Sequence, residues 1–171
     1  MDKGRVVGVA CAVCVALAAC PLGRAQAVDS WGREQMARGL DQLHRSSSTC
    51  VGNAVGVHVY EAMYDQGQIG ALSLHSYAAL TTRLCRSARS TVRRWTPTVF
   101  PQSGLEANEA ALLKRELVDL QRCWLRAIDA SGVYLRAVAA GRPTRAPFST
   151  LMHASRTERA MESRLRTEWG L

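Results

Sequence analysis

Between Leu105 and Ala139, Leu113, Leu117, Leu120, Trp124, Ala127, Tyr134 and Val138 recur at spacings of three, four or seven. Proline is absent from that run. Such spacing puts every apolar side chain on one side of a 3.6-residue turn. It predicts a long helix over 105–139, with Arg115, Asp119, Arg122, Arg126 and Asp129 as its wet stripe. Pairs three and four apart within that stripe add modest support. A buried helical face needs other faces to cover it, so the rest of the chain must supply them.

Four further segments can do so. Met36, Leu40 and Leu43 mark a helix over 30–45, which Ser46-Ser47-Ser48-Thr49 is expected to break. Residues 51–66 carry alternating Val55, Val57 and Val59, a strand-like pattern. No other run offers a strand partner, and a lone strand is unstable, so helix is expected there. Gly52 and Gly56 lie four apart and could admit a close neighbour. Leu74, Ala78, Thr81, Cys85, Ala88, Val92 and Trp95 predict a helix over 71–95, which Pro97 ends. A linker from Thr96 to Gly104 leads to Ser103-x-x-Glu106, the pattern of a capping box. Ser131-Gly132 is a place for a kink, and Gly141-Arg142-Pro143 stops the long helix. Ser149 or Thr150 is expected to cap a last helix reaching residue 168, with a thin apolar face of Leu151, Ala154, Met161 and Leu165. The fold class is therefore all-α, a small bundle of four to five helices in one domain, 28–171.

The start of the chain is of another kind. Asp2, Lys3 and Arg5 precede an uncharged stretch from Val6 to Ala19, then Pro21, Gly23 and Ala25-Gln26-Ala27. This is the layout of a bacterial secretory signal, cleaved after Ala27. A rival ending is Leu17-Ala18-Ala19-Cys20, in which residues 1–19 are removed and Cys20 is acylated as a lipoprotein. The uncharged stretch is short for the roughly 30 Å core of a bilayer. Export to the periplasm or beyond is the expectation, with membrane anchoring through Cys20 as the alternative. Cys11 and Cys14 fall inside the signal and carry no redox or metal expectation.

Export permits disulfides. Cys50, Cys85 and Cys123 remain in the mature chain. If helices on either side of Gly67-Gln68-Ile69-Gly70 fold back on each other, residues whose numbers total about 135 face each other. Cys50 and Cys85 meet that condition. Cys85 and Cys123 flank a linker centred near residue 100 and miss their register by eight residues, about 12 Å along a helix, too far for a bridge. A Cys50–Cys85 disulfide and a buried, unpaired Cys123 are expected.

The chain has a formal charge of +8. Lys114 is the sole lysine after the signal, so arginine carries nearly all of the mature positive charge. From Gln66 to Leu105 no Asp or Glu occurs, while Arg83, Arg86, Arg89, Arg93 and Arg94 do. Arg83, Arg86, Arg89 and Arg93 form a candidate basic ridge for an anionic envelope surface or an envelope protein. Export removes nucleic acid as a partner, and the ridge lacks the stacking aromatics of a single-strand binder. Of the aromatics Trp31, Tyr60, Tyr64, Tyr77, Trp95 and Trp169, the last is the candidate for an exposed contact.

Catalytic motifs are missing: no Gly-x-Ser-x-Gly, H-E-x-x-H, phosphate loop or dinucleotide fingerprint occurs. No cofactor is expected and no metal motif is present. The residues that a hairpin could gather as metal ligands are His58, His75 and Glu61. Glu106, Glu109, Glu116 and Glu158 are carboxylates that could meet across helices, whereas His44 and His153 have no suggestive neighbours in sequence. The expected class is an exported binding protein of the cell envelope. A small periplasmic enzyme or metal-binding protein is the alternative.

Overall fold

The computed structural model describes residues 30–98 and 105–171. The segment 1–27 expected to be a secretory signal, Cys20 within it, and Ser103 lie outside the described residues. Four helices make up the described chain: α1 Ser30–Asp65, α2 Ala71–Arg94, α3 Ala107–Ala139 and α4 Arg145–Trp169. There is no strand among the described residues. The all-α bundle expected from periodicity is what forms.

The expected break at 46–49 does not occur, and α1 runs 36 residues without interruption. Two of its hydroxyls bond back into their own helix. Ser46 Oγ donates to the Gln42 carbonyl at 3.0 Å and Ser48 Oγ to that of Arg45 at 3.3 Å. Serine is a poor helix former because its hydroxyl competes for the backbone. Here that competition is turned inward, and tertiary burial decides the outcome. Met36, Leu40, Leu43, Ser47, Cys50, Ala54 and Val57 are all buried, a stripe at spacings of three and four that passes straight through the serines. The valine alternation was a false signal, since Val57 is buried and Val59 exposed.

Gly67 ends α1 at φ 70°. Its N–H donates to the Tyr64 carbonyl, and Gln68 N–H donates to that of Met63. This paired closure needs a left-handed residue, which glycine adopts without steric cost. Gly141 closes α3 in the same way. The end of α2 is finished from outside: Gln121 Nε2 on α3 donates to the carbonyls of Val92 and Trp95, at 2.7 and 2.8 Å. Glu106, rather than a residue three positions into the helix, is the N-cap of α3. Glu109 Oε2 accepts from its backbone N–H at 3.2 Å. The N-cap of the last helix is Thr144, five residues before the earlier of its two expected caps. Pro147 sits in the first turn, where a missing N–H costs nothing. α3 continues through Ser131-Gly132, where Ser131 Oγ donates to the Ala127 carbonyl.

Consecutive helices run antiparallel and pack most closely, α1 also lies on α3, and α2 does not touch α4. The core is filled by Leu40, Leu113, Leu117, Leu120, Trp124, Tyr134, Leu151, Leu165 and Trp169, each fully buried. Trp169 is therefore a core residue and not an exposed contact. Its Nε1 donates to Glu116 Oε2 at 2.6 Å.

Cys50 and Cys85 are joined in a disulfide, with their Cα atoms 4.7 Å apart. Cys123 is unpaired and buried, with Sγ 3.4 Å from Met161 Sδ. Burial pushes its thiol up from the ordinary range, which suppresses the reactive thiolate.

The two glycines of α1 differ in their surroundings. A Cβ on Gly56 would sit 2.6 Å from Tyr77 Oη, whereas one on Gly52 would meet nothing within 4 Å. Tyr77 is held there by its hydrogen bond to Asn53 and by the Tyr60 ring, 4.6 Å away between centroids. Gly52→Ala is expected to stabilise the fold by about 0.5–1 kcal/mol through helix propensity. Gly56→Ala should forfeit that gain by displacing Tyr77. Urea unfolding of both variants beside the wild type measures the difference.

Candidate functional site

The helix wheel of α2 separates its arginines. Its buried line is Leu74, Ala78, Thr81, Cys85, Ala88 and Val92. Arg83, Arg86 and Arg94 point away from that line, at 100° per residue, and are exposed along with Arg93. Leu72 and Leu80, 80 % and 51 % exposed, share the outward face. Arg89 turns sideways toward α3, where its Nε donates to Asp129 Oδ1 at 2.7 Å. Arg83, Arg86, Arg93 and Arg94 have no carboxylate partner among the described residues. A shallow groove between α2 and α3 is lined by Arg86, Arg89 and Arg136, with Asp129 as its acidic member. Cations in the last turn, Arg93 and Arg94, are favoured by the helix dipole. Arg83 and Arg86 lie further up the helix and gain little from it.

The expected metal candidates separate. His58 and His75 fit the hairpin register, yet two residues along a helix is 200°, and His58 faces the opposite way from Tyr60, which packs on α2. The His58 ring stacks on Phe148 at 3.8 Å and meets Tyr134 edge-on at 6.1 Å. His75 is exposed on α2. Glu61 is fully occupied. Its Oε2 accepts from Tyr134 Oη at 3.1 Å and lies 3.2 Å from His58 Nδ1, while Oε1 accepts from Thr144 Oγ1 at 2.7 Å. Burial first, then the Glu61 charge and hydrogen bond, push the Tyr134 phenol far above its ordinary value. This corner ties α1 to the start of α4 and commits both Glu61 oxygens to it.

A third grouping lies on the seam between α1 and α4. Here Asp41, His44 and Ser47 face Arg166, Glu162 and Glu158 in antiparallel register. Glu162 Oε2 accepts from His44 Nδ1 at 2.8 Å, and its Oε1 accepts from Arg166 Nε at 2.9 Å. Arg166 Nη2 also donates to Asp41 Oδ1 at 2.7 Å. Glu158 lies deeper, 2 % exposed. Its carboxyl is pushed up to about 7, by burial first and by the neighbouring Glu162 charge. The Ser47 hydroxyl, His44 and Arg159 favour the ionised form and oppose that rise. Ser47 is near enough to do so, yet neither its Oγ nor Glu158 Oε2 completes a hydrogen bond. His44 Nδ1 and one oxygen from each of Glu158 and Glu162 all lie within 4.8 Å of one another. No other three-residue set of His, Cys, Asp and Glu among the described residues does so.

In the sequence alone Glu158 is one of four carboxylates free to meet across helices, and His44 has no suggestive neighbour. The other three carboxylates do not join them: Glu106 and Glu109 form the capping box of α3, and Glu116 holds Trp169. The signal available was the four-residue spacing of Glu158, Glu162 and Arg166, a polar line on a helix otherwise poor in apolar faces. Comparison of the chain with protein-family models, curated proteins and solved structures finds no match.

Proposed function

We propose that the protein is an exported binding protein of the cell envelope whose arginine face on α2 docks on an anionic membrane surface. The observation that carries this reading is the outward set Arg83, Arg86, Arg93 and Arg94, exposed and without carboxylate partners among the described residues. Buried ion pairs would have explained these side chains as structural, and of the α2 arginines only Arg89 has a partner from another helix among the described residues. The export half of the reading is supported by the layout of residues 1–27 and by the Cys50–Cys85 bridge, which suits an oxidising compartment. No described helix is long and apolar enough to cross a membrane, so contact would be made by the surface.

Each arginine close to an anionic bilayer contributes about 1 kcal/mol, screened by salt. The double reversal Arg83→Glu/Arg86→Glu should therefore weaken binding to phosphatidylglycerol-containing vesicles by about 30-fold or more. Arg145→Glu/Arg156→Glu, an equal change of net charge on α4, should weaken it much less. Vesicle co-sedimentation at low and moderate salt, with neutral phosphatidylcholine vesicles as reference, measures both. Equal loss in the two double variants, or no preference for anionic vesicles, rejects the reading.

A further inference from the structure

We propose that His44, Glu158 and Glu162 form a binding site for one divalent transition-metal cation of the zinc class, which clamps α1 to α4. The donor atoms already converge within 4.8 Å. Tetrahedral bonds of about 2.0–2.1 Å set ligand atoms roughly 3.4 Å apart. His44 Nδ1 and Glu162 Oε2, now 2.8 Å apart, need only part slightly, and a Glu158 oxygen already lies within 4.8 Å of both.

The second observation is independent of this convergence. Among the described residues Glu158 Oε2 and Ser47 Oγ are buried side-chain oxygens that complete no hydrogen bond, although the Ser47 hydroxyl stands close enough to Glu158 to favour its charged form. Ser47 is completely buried on α1 and faces Glu158 from the opposite wall. Buried polar atoms of this kind cost free energy unless something is bound between them. The surrounding cations are already committed. Arg166 serves Glu162 and Asp41. Arg159 donates to the carbonyl and hydroxyl of Ser155. The carboxylate of Glu158 is left with no guanidinium in hydrogen-bond contact, and a dication would supply the missing charge.

The donor set selects among cations. One imidazole and two carboxylates suit zinc-class ions, whereas magnesium and calcium take oxygen alone. The His44 side chain is 42 % exposed, so an ion can enter beside it and keep water as a further ligand. Ligands then come from both sides of a seam that is the sparsest of the helix contacts in the bundle. Such a site stabilises the folded chain by mass action, because the unfolded chain does not hold the three groups together.

The test titrates Zn²⁺ into untagged, chelator-treated protein by calorimetry and follows the thermal unfolding midpoint, with Mg²⁺ in parallel. One Zn²⁺ per chain and a raised midpoint are expected, with no response to Mg²⁺. Glu158→Gln keeps the shape of the side chain and His44→Asn keeps a polar group at the rim, so both should fold, as circular dichroism would verify. Each should lose more than the roughly 10–100-fold in affinity that removal of a mere outer-shell partner costs. His58→Asn and His153→Asn should bind Zn²⁺ as the wild type does. Absence of saturable Zn²⁺ binding by the wild type overturns the proposal. So does affinity left unchanged in both Glu158→Gln and His44→Asn, or lost in His58→Asn instead.

Discussion

Replacing Cys50 and Cys85 together by alanine is expected to lower the free energy of unfolding by about 3–4 kcal/mol. The bridge spans 35 residues of sequence, and cross-linking a loop of that length removes conformations from the unfolded chain rather than adding contacts to the folded one. For a domain of this size the unfolding midpoint should fall by about 10 °C. The helices themselves should survive, since the bridge is only one part of the core and the apolar stripe of α3 keeps its other partners on α1 and α4. Far-ultraviolet circular dichroism of the variant should therefore match the wild type at low temperature. Reduction of the wild type with a strong thiol reagent gives the same shift without the small packing loss of two buried sulfurs. If neither treatment moves the midpoint, the bridge contributes nothing to stability, and the argument from an oxidising compartment loses its structural support.

That bridge was legible in the sequence because a short turn of five residues, 66–70, fixes the register of the helices on either side. Gly39 beside Trp95, Cys50 on Cys85 and Tyr60 on Tyr77 all keep it. The next pair of helices kept no such simple rule. Arg89 meets Asp129 and Val92 meets Gln121, so the register is staggered well beyond that of a symmetric linker. The first turns of α3 overhang the end of α2 and pack on the long N-terminal half of α1, where Leu117 lies by Met36 and Leu40. Cys123 is out of reach of Cys85 as expected, but the slip runs opposite to a symmetric estimate: Cys85 lies over Ile128.

The seam between α1 and α4 was the least legible part. No short loop joins those helices, so no turn fixes their register. His44 finds Glu162 118 residues away. Its polar residues also disguised the helices that carry them. Ser46 to Thr49 resembled a break, and Glu158 and Glu162 thinned the apparent apolar face of α4. Local propensity treats a buried serine or glutamate as a defect, and only the opposing helix shows what it faces. The stripe of α3, by contrast, was readable throughout because nearly every buried position in it is apolar.

Glu158→Gln should reverse the usual sign of a core substitution and stabilise the metal-free protein at neutral and alkaline pH. The folded chain holds the Glu158 carboxyl at about 7 against an ordinary value of 4.5, chiefly because burial disfavours the charge. A raised acid binds its proton more tightly in the folded state than in the unfolded state. Its contribution is thus fully present below about pH 4.5 and is lost as pH rises through about 7. A shift of that size corresponds to about 3 kcal/mol between the two ends of the window. Glutamine fills the same volume and never ionises, so the variant should show no such decline. At pH 8 in the presence of a chelator it should exceed the wild type by about 3 kcal/mol, and near pH 4 the two should converge. Urea unfolding at a series of pH values from 4 to 8.5 measures the difference directly. A wild type whose stability does not fall across that range relative to Glu158→Gln would mean that the ionised carboxylate is already compensated in the seam. The neutral amide would then be the less stable occupant. The same buried group that weakens the empty seam at high pH is the one a dication would compensate, so added Zn²⁺ should flatten the wild-type decline while leaving Glu158→Gln unaffected.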